Sequence, residues 1–329
     1  MTIPLYPDII YKGDLTPDAV GREIDETIEK IHAATKGWGT DELRLIKAIA
    51  YCSPEERAQV AAKYATVHGK SLKALMKSEC GKGDFGTALQ FLAVPSDETE
   101  CDIIKAACKG VGTDELLLYP VICGRNNTEI NLLKKKFFNL YNEDLGMFLN
   151  RELGGNFERL IFTCLQGLEE GFDPGYHNES LVDKDVASFY HMGQGKFGTD
   201  EAGLFKLLCT RPSEHLKKVN LAYADKYNVT LFKVMEEELG GQCRDATLFL
   251  VGMKIKPYET VAKLIKKACQ GIGTNELLLS STIIRYQLCL KEVMKAYEEL
   301  YGQKLQDTVK KEVGGDFQRL LRELCDAAL

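Results

Sequence analysis

Four short phrases in this chain bracket a residue with glycine or lysine and follow it with threonine and acid or amide. They are Gly37-Trp38-Gly39-Thr40-Asp41-Glu42, Gly110-Val111-Gly112-Thr113-Asp114-Glu115, Lys196-Phe197-Gly198-Thr199-Asp200-Glu201 and Gly271-Ile272-Gly273-Thr274-Asn275-Glu276. Each has a second phrase downstream: Glu79-Cys80-Gly81, Glu152-Leu153-Gly154-Gly155, Glu238-Leu239-Gly240-Gly241 and Glu312-Val313-Gly314-Gly315. The separation from glycine to glutamate is 40 residues in three copies (39 to 79, 112 to 152, 198 to 238) and 39 in the fourth (273 to 312). Two weak motifs, each repeated four times at nearly one spacing, make a joint signal that chance does not produce.

A turn with two glycines can do more than reverse the chain. One glycine serves a tight turn needing positive φ; two let several backbone carbonyls converge. Carbonyl oxygens suit a hard cation, and calcium takes about 6–8 oxygens, often completed by a bidentate carboxylate. A glutamate arriving at a helix end from about 40 residues away supplies that carboxylate. Magnesium suits the site less, because it demands stricter octahedral geometry and keeps its water. Carbonyls plus one carboxylate leave a dication short by one negative charge. Free-calcium affinity should then be weak, on the order of 10⁻⁴–10⁻³ M. An anionic group from outside, such as a lipid phosphate, would raise it, with reciprocal linkage. The residue between the glycines sits at the loop tip: Trp38, Val111, Phe197 and Ile272. Apolar and aromatic tips suit insertion at a membrane interface. The alternative is a tip folded back on its own helices.

The elements around these phrases read as helices. Successive Gly-Thr pairs lie 73, 86 and 75 residues apart (39, 112, 198, 273). Ile24, Ile28 and Ile31 precede the first phrase at helical spacing, and Leu43, Leu45, Ile46 and Ile49 follow it. Thr40 suits the N-cap of the second helix, with Asp41 and Glu42 in its first turn. Ser53-Pro54-Glu55-Glu56 is a further helix start, and Asn126 with Glu129 resembles it. Two more helices, around Leu72–Met76 and Phe85–Leu92, make five per repeat. Sustained alternation with β-branched residues is nearly absent. The chain therefore reads as all-α: a head at 1–15, repeats at 16–93 and 94–168, a linker at 169–180, and repeats at 181–255 and 256–329. The linker, around Gly171-Phe172-Asp173-Pro174-Gly175, divides the chain into two pairs of repeats.

Composition narrows the function. The 329 residues are 45% hydrophobic and 27% charged, with net charge -6. An acidic chain is ill suited to nucleic acid, and equally to an anionic membrane unless something positive lies between. No signal peptide, bilayer-spanning run, myristoylation pattern or prenylation box is readable. Eleven cysteines without a C-x-x-C pair argue against a disulfide framework or structural zinc, and for buried thiols in the reducing cytoplasm. Nor is an enzyme readable. Gly69-Lys70-Ser71 lacks the glycine that a phosphate loop needs, since Tyr64 stands there. His32, His68, His177, His191 and His215 show no metalloprotease spacing, and no EF-hand loop or local catalytic triad occurs.

The K-G-x-G-T-D-E loops with their downstream acid and Gly-Gly closely resemble the annexin family, over residues 16–329. The resemblance implies four five-helix repeats forming a curved disc, with calcium (Ca2+) bridging the loops to anionic phospholipid. It implies a cytoplasmic protein recruited reversibly to membranes. Ligands carried over are Thr35, Gly37, Gly39 and Glu79; Cys108, Gly110, Gly112 and Glu152; Gly193, Lys196, Gly198 and Glu238; and Cys269, Gly271, Gly273 and Glu312. A weaker secondary site implicates Glu42, Glu115, Glu201 and Glu276, which also read simply as first-turn helix acids. The fourth copy departs most: it is one residue short, and it lacks the arginine that Arg125 and Arg211 supply in the second and third. Pro120, where the family's polar pore usually carries an acid, weighs against a channel. The alternative function is a helical-repeat scaffold for protein partners, with purely structural glycine turns. The head is a candidate partner segment, and self-association on membranes is left open.

Overall fold

The computed structural model describes residues 3–13, 15–37, 39–81, 83–195, 198–271 and 273–329. Among them there is no strand, and no helix is long and apolar enough to cross a membrane. A short helix, α1 (Asp8–Lys12), precedes the repeats. The first repeat is α2 (Asp25–Thr35), α3 (Glu42–Ala50), α4 (Pro54–His68), α5 (Leu72–Cys80) and α6 (Asp84–Leu92). The second is α7 (Ser96–Ala107), α8 (Glu115–Ile122), α9 (Asn127–Tyr141), α10 (Leu145–Asn150) and α11 (Gly155–Leu165). The third is α12 (Glu179–Met192), α13 (Glu201–Thr210), α14 (Ser213–Tyr227), α15 (Leu231–Glu238) and α16 (Gly241–Ile255). The fourth is α17 (Pro257–Ala268), α18 (Glu276–Arg285), α19 (Leu290–Tyr301), α20 (Leu305–Glu312) and α21 (Gly315–Asp326), with a 3₁₀ turn at Gln287–Cys289.

Local signals set these boundaries. Ser53 Oγ accepts from the Glu56 amide at 3.1 Å, and the Glu56 carboxylate accepts from the Ser53 amide at 2.7 Å. This reciprocal box starts α4. The stripes at helical spacing are buried: Ile24, Ile28 and Ile31 before the first loop, and Leu45, Ile46 and Ile49 after it. Each such side chain contributes roughly 1.5–3 kcal/mol on leaving water. Leu43, read with that stripe, is instead half exposed.

The repeats pair differently from the expectation. One compact unit spans residues 104–260 and holds the second and third repeats; the other joins 4–103 to 261–329, the first and fourth. The long connector therefore does not separate the units. It lies inside the first of them, tied to both its repeats. Asn127 Nδ2 donates to the Glu169 carbonyl at 2.9 Å, and Asn127 Oδ1 accepts from the Glu169 amide at 3.0 Å. On the other side Arg211 donates through Nη1 to both Glu170 oxygens at 2.9 Å and through Nε to Asp185 Oδ2 at 2.6 Å. His215 Nε2 lies 2.8 Å from the same Asp185 oxygen, and His177 Nε2 lies 3.2 Å from Glu170 Oε2.

In the unit of the first and fourth repeats, Arg285 donates through Nε to Glu100 at 2.9 Å. Tyr6 from the head donates its hydroxyl to the same carboxylate at 2.5 Å. Leu5, Tyr6 and Ile10 are buried, so these head residues are packed into the fold.

Burial alone would raise the Asp185 carboxyl, but the His215 and Arg211 hydrogen bonds and charges hold it below the usual range. A depressed folded-state pKa gives stability that is present above the unfolded value, about 3.9, and lost as pH falls through the folded one. Asp185→Asn is therefore expected to lower unfolding free energy by about 1.5–3 kcal/mol at pH 7. In urea titrations the gap from wild type should narrow below about pH 4.

Candidate metal centre

Each phrase forms the same closed loop. The amide after the Gly-Thr pair donates back to the end of the preceding helix: Asp41 to the Ala34 carbonyl, Asp114 to Ala107, Asp200 to Met192 and Asn275 to Ala268, all at 2.8 Å. That ring spans 7 residues in three copies (34 to 41, 107 to 114, 268 to 275) and 8 in the third (192 to 200). The bracketing glycines repeat their backbone angles. Gly37, Gly110 and Gly271 have φ of 112°, 111° and 108°; Gly39, Gly112, Gly198 and Gly273 have 83°, 83°, 84° and 90°. An added Cβ at any of these seven would meet nothing within 4 Å. Glycine is thus required by conformation rather than by space.

The predicted glutamates arrive at these loops, and a threonine hydroxyl meets each one. Thr199 Oγ1 donates to Glu238 Oε2 at 2.7 Å, and Thr274 Oγ1 to Glu312 Oε2 at 2.9 Å. Thr40 Oγ1 reaches Glu79 Oε2 at 3.4 Å. Thr113 donates to the backbone carbonyl of Glu152 at 3.2 Å. The missing residue in the fourth copy does not displace Glu312. These contacts also correct the cap assignment. Asp41 caps α3 by accepting from the Arg44 amide, and Asp114, Asp200 and Asn275 cap their helices in the same way. The repetition of threonine in all four phrases was the available signal for its separate role.

The third loop carries an extra residue and extra ties. Gly195 donates its amide to the Tyr190 carbonyl at 2.7 Å, and Tyr223 OH donates to Gln194 Oε1 at 3.2 Å. Gly193 is buried, and a Cβ there would lie 3.3 Å from Glu238 Cγ, so this carboxylate arm packs directly on the loop. Thr35 is buried, with its hydroxyl donated to the Ile31 carbonyl at 3.1 Å. Cys108 and Cys269 are half-buried. Burial first, and then the nearby Glu152 and Glu312 charges, push their thiols up to about 11. Both stay protonated at neutral pH, which leaves the backbone carbonyl as the hard donor. Glu42, Glu115, Glu201 and Glu276 are half-buried at helix starts, and Glu201 accepts from Asn156 Nδ2 at 3.0 Å. Val111 is fully exposed at its tip. Trp38, Lys196, Phe197 and Ile272 lie outside the described residues.

The donor set fits a hard cation: exposed glycine backbone, a carboxylate held at the first, third and fourth loops, and thiols that keep their protons. Among the described residues no group of three or more His, Cys, Asp or Glu side chains gathers to hold a metal ion. A cage built chiefly from carbonyls needs no such group.

The Annexin family profile matches residues 27–92, 99–163, 184–250 and 260–324. Annexin A13 of Mus musculus is 31% identical over 302 residues, covering 92% of this chain and 94% of that protein. Annexin A13 of Homo sapiens is also 31% identical, covering 92% and 95%. Among solved structures, annexin III has a TM-score of 0.85 at 25% identity, over 91% of this chain and 92% of that one. A calcium-bound annexin (Sm)1 has a TM-score of 0.81 at 23% identity, over 99% and 97%, a likeness of fold.

The loop geometry carries its own test. Gly112→Ala meets no atom but must adopt a φ of 83°. It is expected to cost about 1–2 kcal/mol in urea unfolding. Gly154→Ala, at an extended N-cap with open space around it, should cost less.

Proposed function

The chain belongs to the annexin family, and from that premise we propose that it binds anionic phospholipid surfaces through calcium ions held in its four glycine-bracketed loops. Members of the family generally bind phospholipid in a calcium-dependent way. The observation that carries the proposal here is the fourfold contact between a loop threonine and the glutamate 38 or 39 residues downstream.

The backbone carbonyls of Thr35, Gly37 and Gly39 with the Glu79 carboxylate would hold the first ion. Cys108, Gly110, Gly112 and Glu152 would hold the second. Gly193, Lys196, Gly198 and Glu238 would hold the third, and Cys269, Gly271, Gly273 and Glu312 the fourth. Each loop supplies one full negative charge, so a bound calcium brings net positive charge to the surface of a chain of net charge -6. In the first, third and fourth loops the threonine keeps its glutamate carboxylate turned to the loop, which would lower the ordering cost of closing the cage. The apolar tips Trp38, Val111, Phe197 and Ile272 would add contact with the lipid interface. Glu42, Glu115, Glu201 and Glu276 would offer a second, weaker position beside each loop; the Asn156 contact makes Glu201 the least available of them. The packing of Leu5, Tyr6 and Ile10 supports a structural role for the head over capture of a partner.

Sedimentation with phosphatidylserine vesicles tests the reading. Wild type should pellet in about 1 mM calcium and return to the supernatant with chelator. Glu79→Gln, Glu152→Gln, Glu238→Gln and Glu312→Gln combined should stay in the supernatant; continued pelleting of that variant would sink the ligand assignment.

Thr199→Val separates positioning from ligation. It keeps Glu238 but removes the 2.7 Å hydrogen bond. In a background with the other three glutamates changed to Gln, it should raise half-maximal calcium roughly 3–10-fold, the equivalent of one hydrogen bond of about 1 kcal/mol. An unchanged titration would mean that the hydroxyl does not preorganise the site.

A further inference from the structure

Three cysteines from three helical segments meet inside the unit of the second and third repeats. Cys123 follows α8, Cys164 lies in α11 and Cys209 lies in α13. Cys164 Sγ is 3.6 Å from Cys209 Sγ and 3.8 Å from Cys123 Sγ. All eleven cysteines of the chain are free thiols. Cys164 and Cys209 also line a cleft of about 20 Å³, together with Arg125, Glu169 and Lys254, whereas Cys123 is not among its lining residues. That volume admits about one water-sized molecule. Lys254 fixes a positive charge there: its Nζ donates to the Arg211 carbonyl at 2.7 Å and pairs with Glu169 at 2.8 Å.

We propose that Cys164 and Cys209 are a peroxide-driven modification site, closing an intrachain disulfide that links α11 of the second repeat to α13 of the third. The two sulfurs need to approach by roughly 1.5 Å to reach bonding distance. Cys209 is the partner rather than Cys123 because its sulfur is closer and because both members of the pair line the cleft that holds Lys254.

The chemistry balances with hydrogen peroxide as the oxidant. The Cys164 thiolate attacks one peroxide oxygen and the O–O bond breaks. The departing hydroxide takes the proton the thiol released and leaves as water, giving a sulfenic acid at Cys164. The Cys209 thiolate then attacks Cys164 Sγ. The S–S bond forms, the S–O bond breaks, and a second water leaves with the Cys209 proton. The two sulfurs lose two electrons in all, and the peroxide gains them. Hydrogen bonding to Cys123 at Cys164, and to Cys164 at Cys209, together with burial, holds both thiols well above their usual range. The reaction is therefore slow at neutral pH and accelerates as pH rises, since the thiolate is the nucleophile.

The test treats the full chain with hydrogen peroxide, blocks remaining thiols and maps peptides by mass spectrometry. A peptide pair joined through Cys164 and Cys209, with a loss of about 2 Da, is expected. Its rate should rise about tenfold per pH unit between pH 7 and 9. Oxidised wild type should also show a raised urea midpoint, because the bond closes a loop between residues 45 apart. Cys209→Ser should abolish both changes and Cys123→Ser should abolish neither. A Cys164–Cys123 link, a sulfinic acid without a link, or full alkylation of both thiols after excess peroxide would each overturn the proposal. The mapping on wild type stands even if a serine variant folds poorly.

Discussion

The contact between a loop hydroxyl and a glutamate 38 or 39 residues away is the constraint from which each repeat takes its form. It joins the first interhelical loop to the turn before the last helix, so the three intervening helices must return the chain to its start. Loop closure over such a span costs entropy that the short hydrogen bond alone cannot offset. The buried helix faces supply the remainder, and the hydroxyl fixes where the chain arrives. A helix cap needs a side-chain oxygen that accepts from a backbone amide, whereas the long-range contact uses the threonine hydroxyl as donor. The two tasks fall on neighbouring residues: Asp41, Asp114, Asp200 and Asn275 accept at the caps, and the threonine before each donates to the distant glutamate.

The copies differ in how firmly that contact fixes the carboxylate. In the third and fourth repeats the hydroxyl lies 2.7 and 2.9 Å from a carboxylate oxygen, and in the first the separation is 3.4 Å. In the second it meets the glutamate backbone. A ligand held in place before binding loses less freedom on binding, so in the proposed reading the third loop, with its extra ties through Gly195 and Gln194, would be the best prepared. Its longer ring is accommodated because Gly193 lets the Glu238 arm pack against it.

Much of this was legible because it is repetitive. Period, spacing, five helices per repeat and the returning glutamate all follow from phrases that recur in one chain. What was missed depends on pairs with no period. The 86-residue interval reads as a divider because it is long and rich in glycine and proline. It is instead held by Arg211, Asp185, Glu170, His177 and His215, which assemble only after folding. The pairing of the first repeat with the fourth has a similar origin. Tyr51 of the first repeat donates its hydroxyl to Glu323 of the fourth, 272 residues away, and neither belongs to a repeated motif. Nothing in the spacing of Cys123, Cys164 and Cys209 tells which thiols will touch. The Thr40 cap was misassigned because propensity favours threonine there nearly as much as aspartate, and only the tertiary contact decides between them.

What recurs and what varies within the four loops also follows from the kind of atom each position must offer. A carbonyl ligand is indifferent to the side chain it belongs to, so in the proposed cages the position before the loop could be Thr35, Cys108 or Cys269 alike. The residue before the second glycine of the phrase is tryptophan, valine, phenylalanine or isoleucine in the sequence. Positions that need a left-handed backbone are glycine in every copy described, at nearly the same φ. Positions that need a side-chain oxygen are fixed in type: threonine to reach across, glutamate to receive it and, in the proposed cage, to complete the ligand set, and aspartate or asparagine to cap. A purely structural turn would explain the glycines, but it would not require a carboxylate at every distant end, since a neutral side chain could accept the same hydroxyl proton. The recurrence of a carboxylate at all four distant ends, exposed at Glu79, Glu152 and Glu312 and half-buried at Glu238, in a chain already acidic, is what favours a cation over a turn.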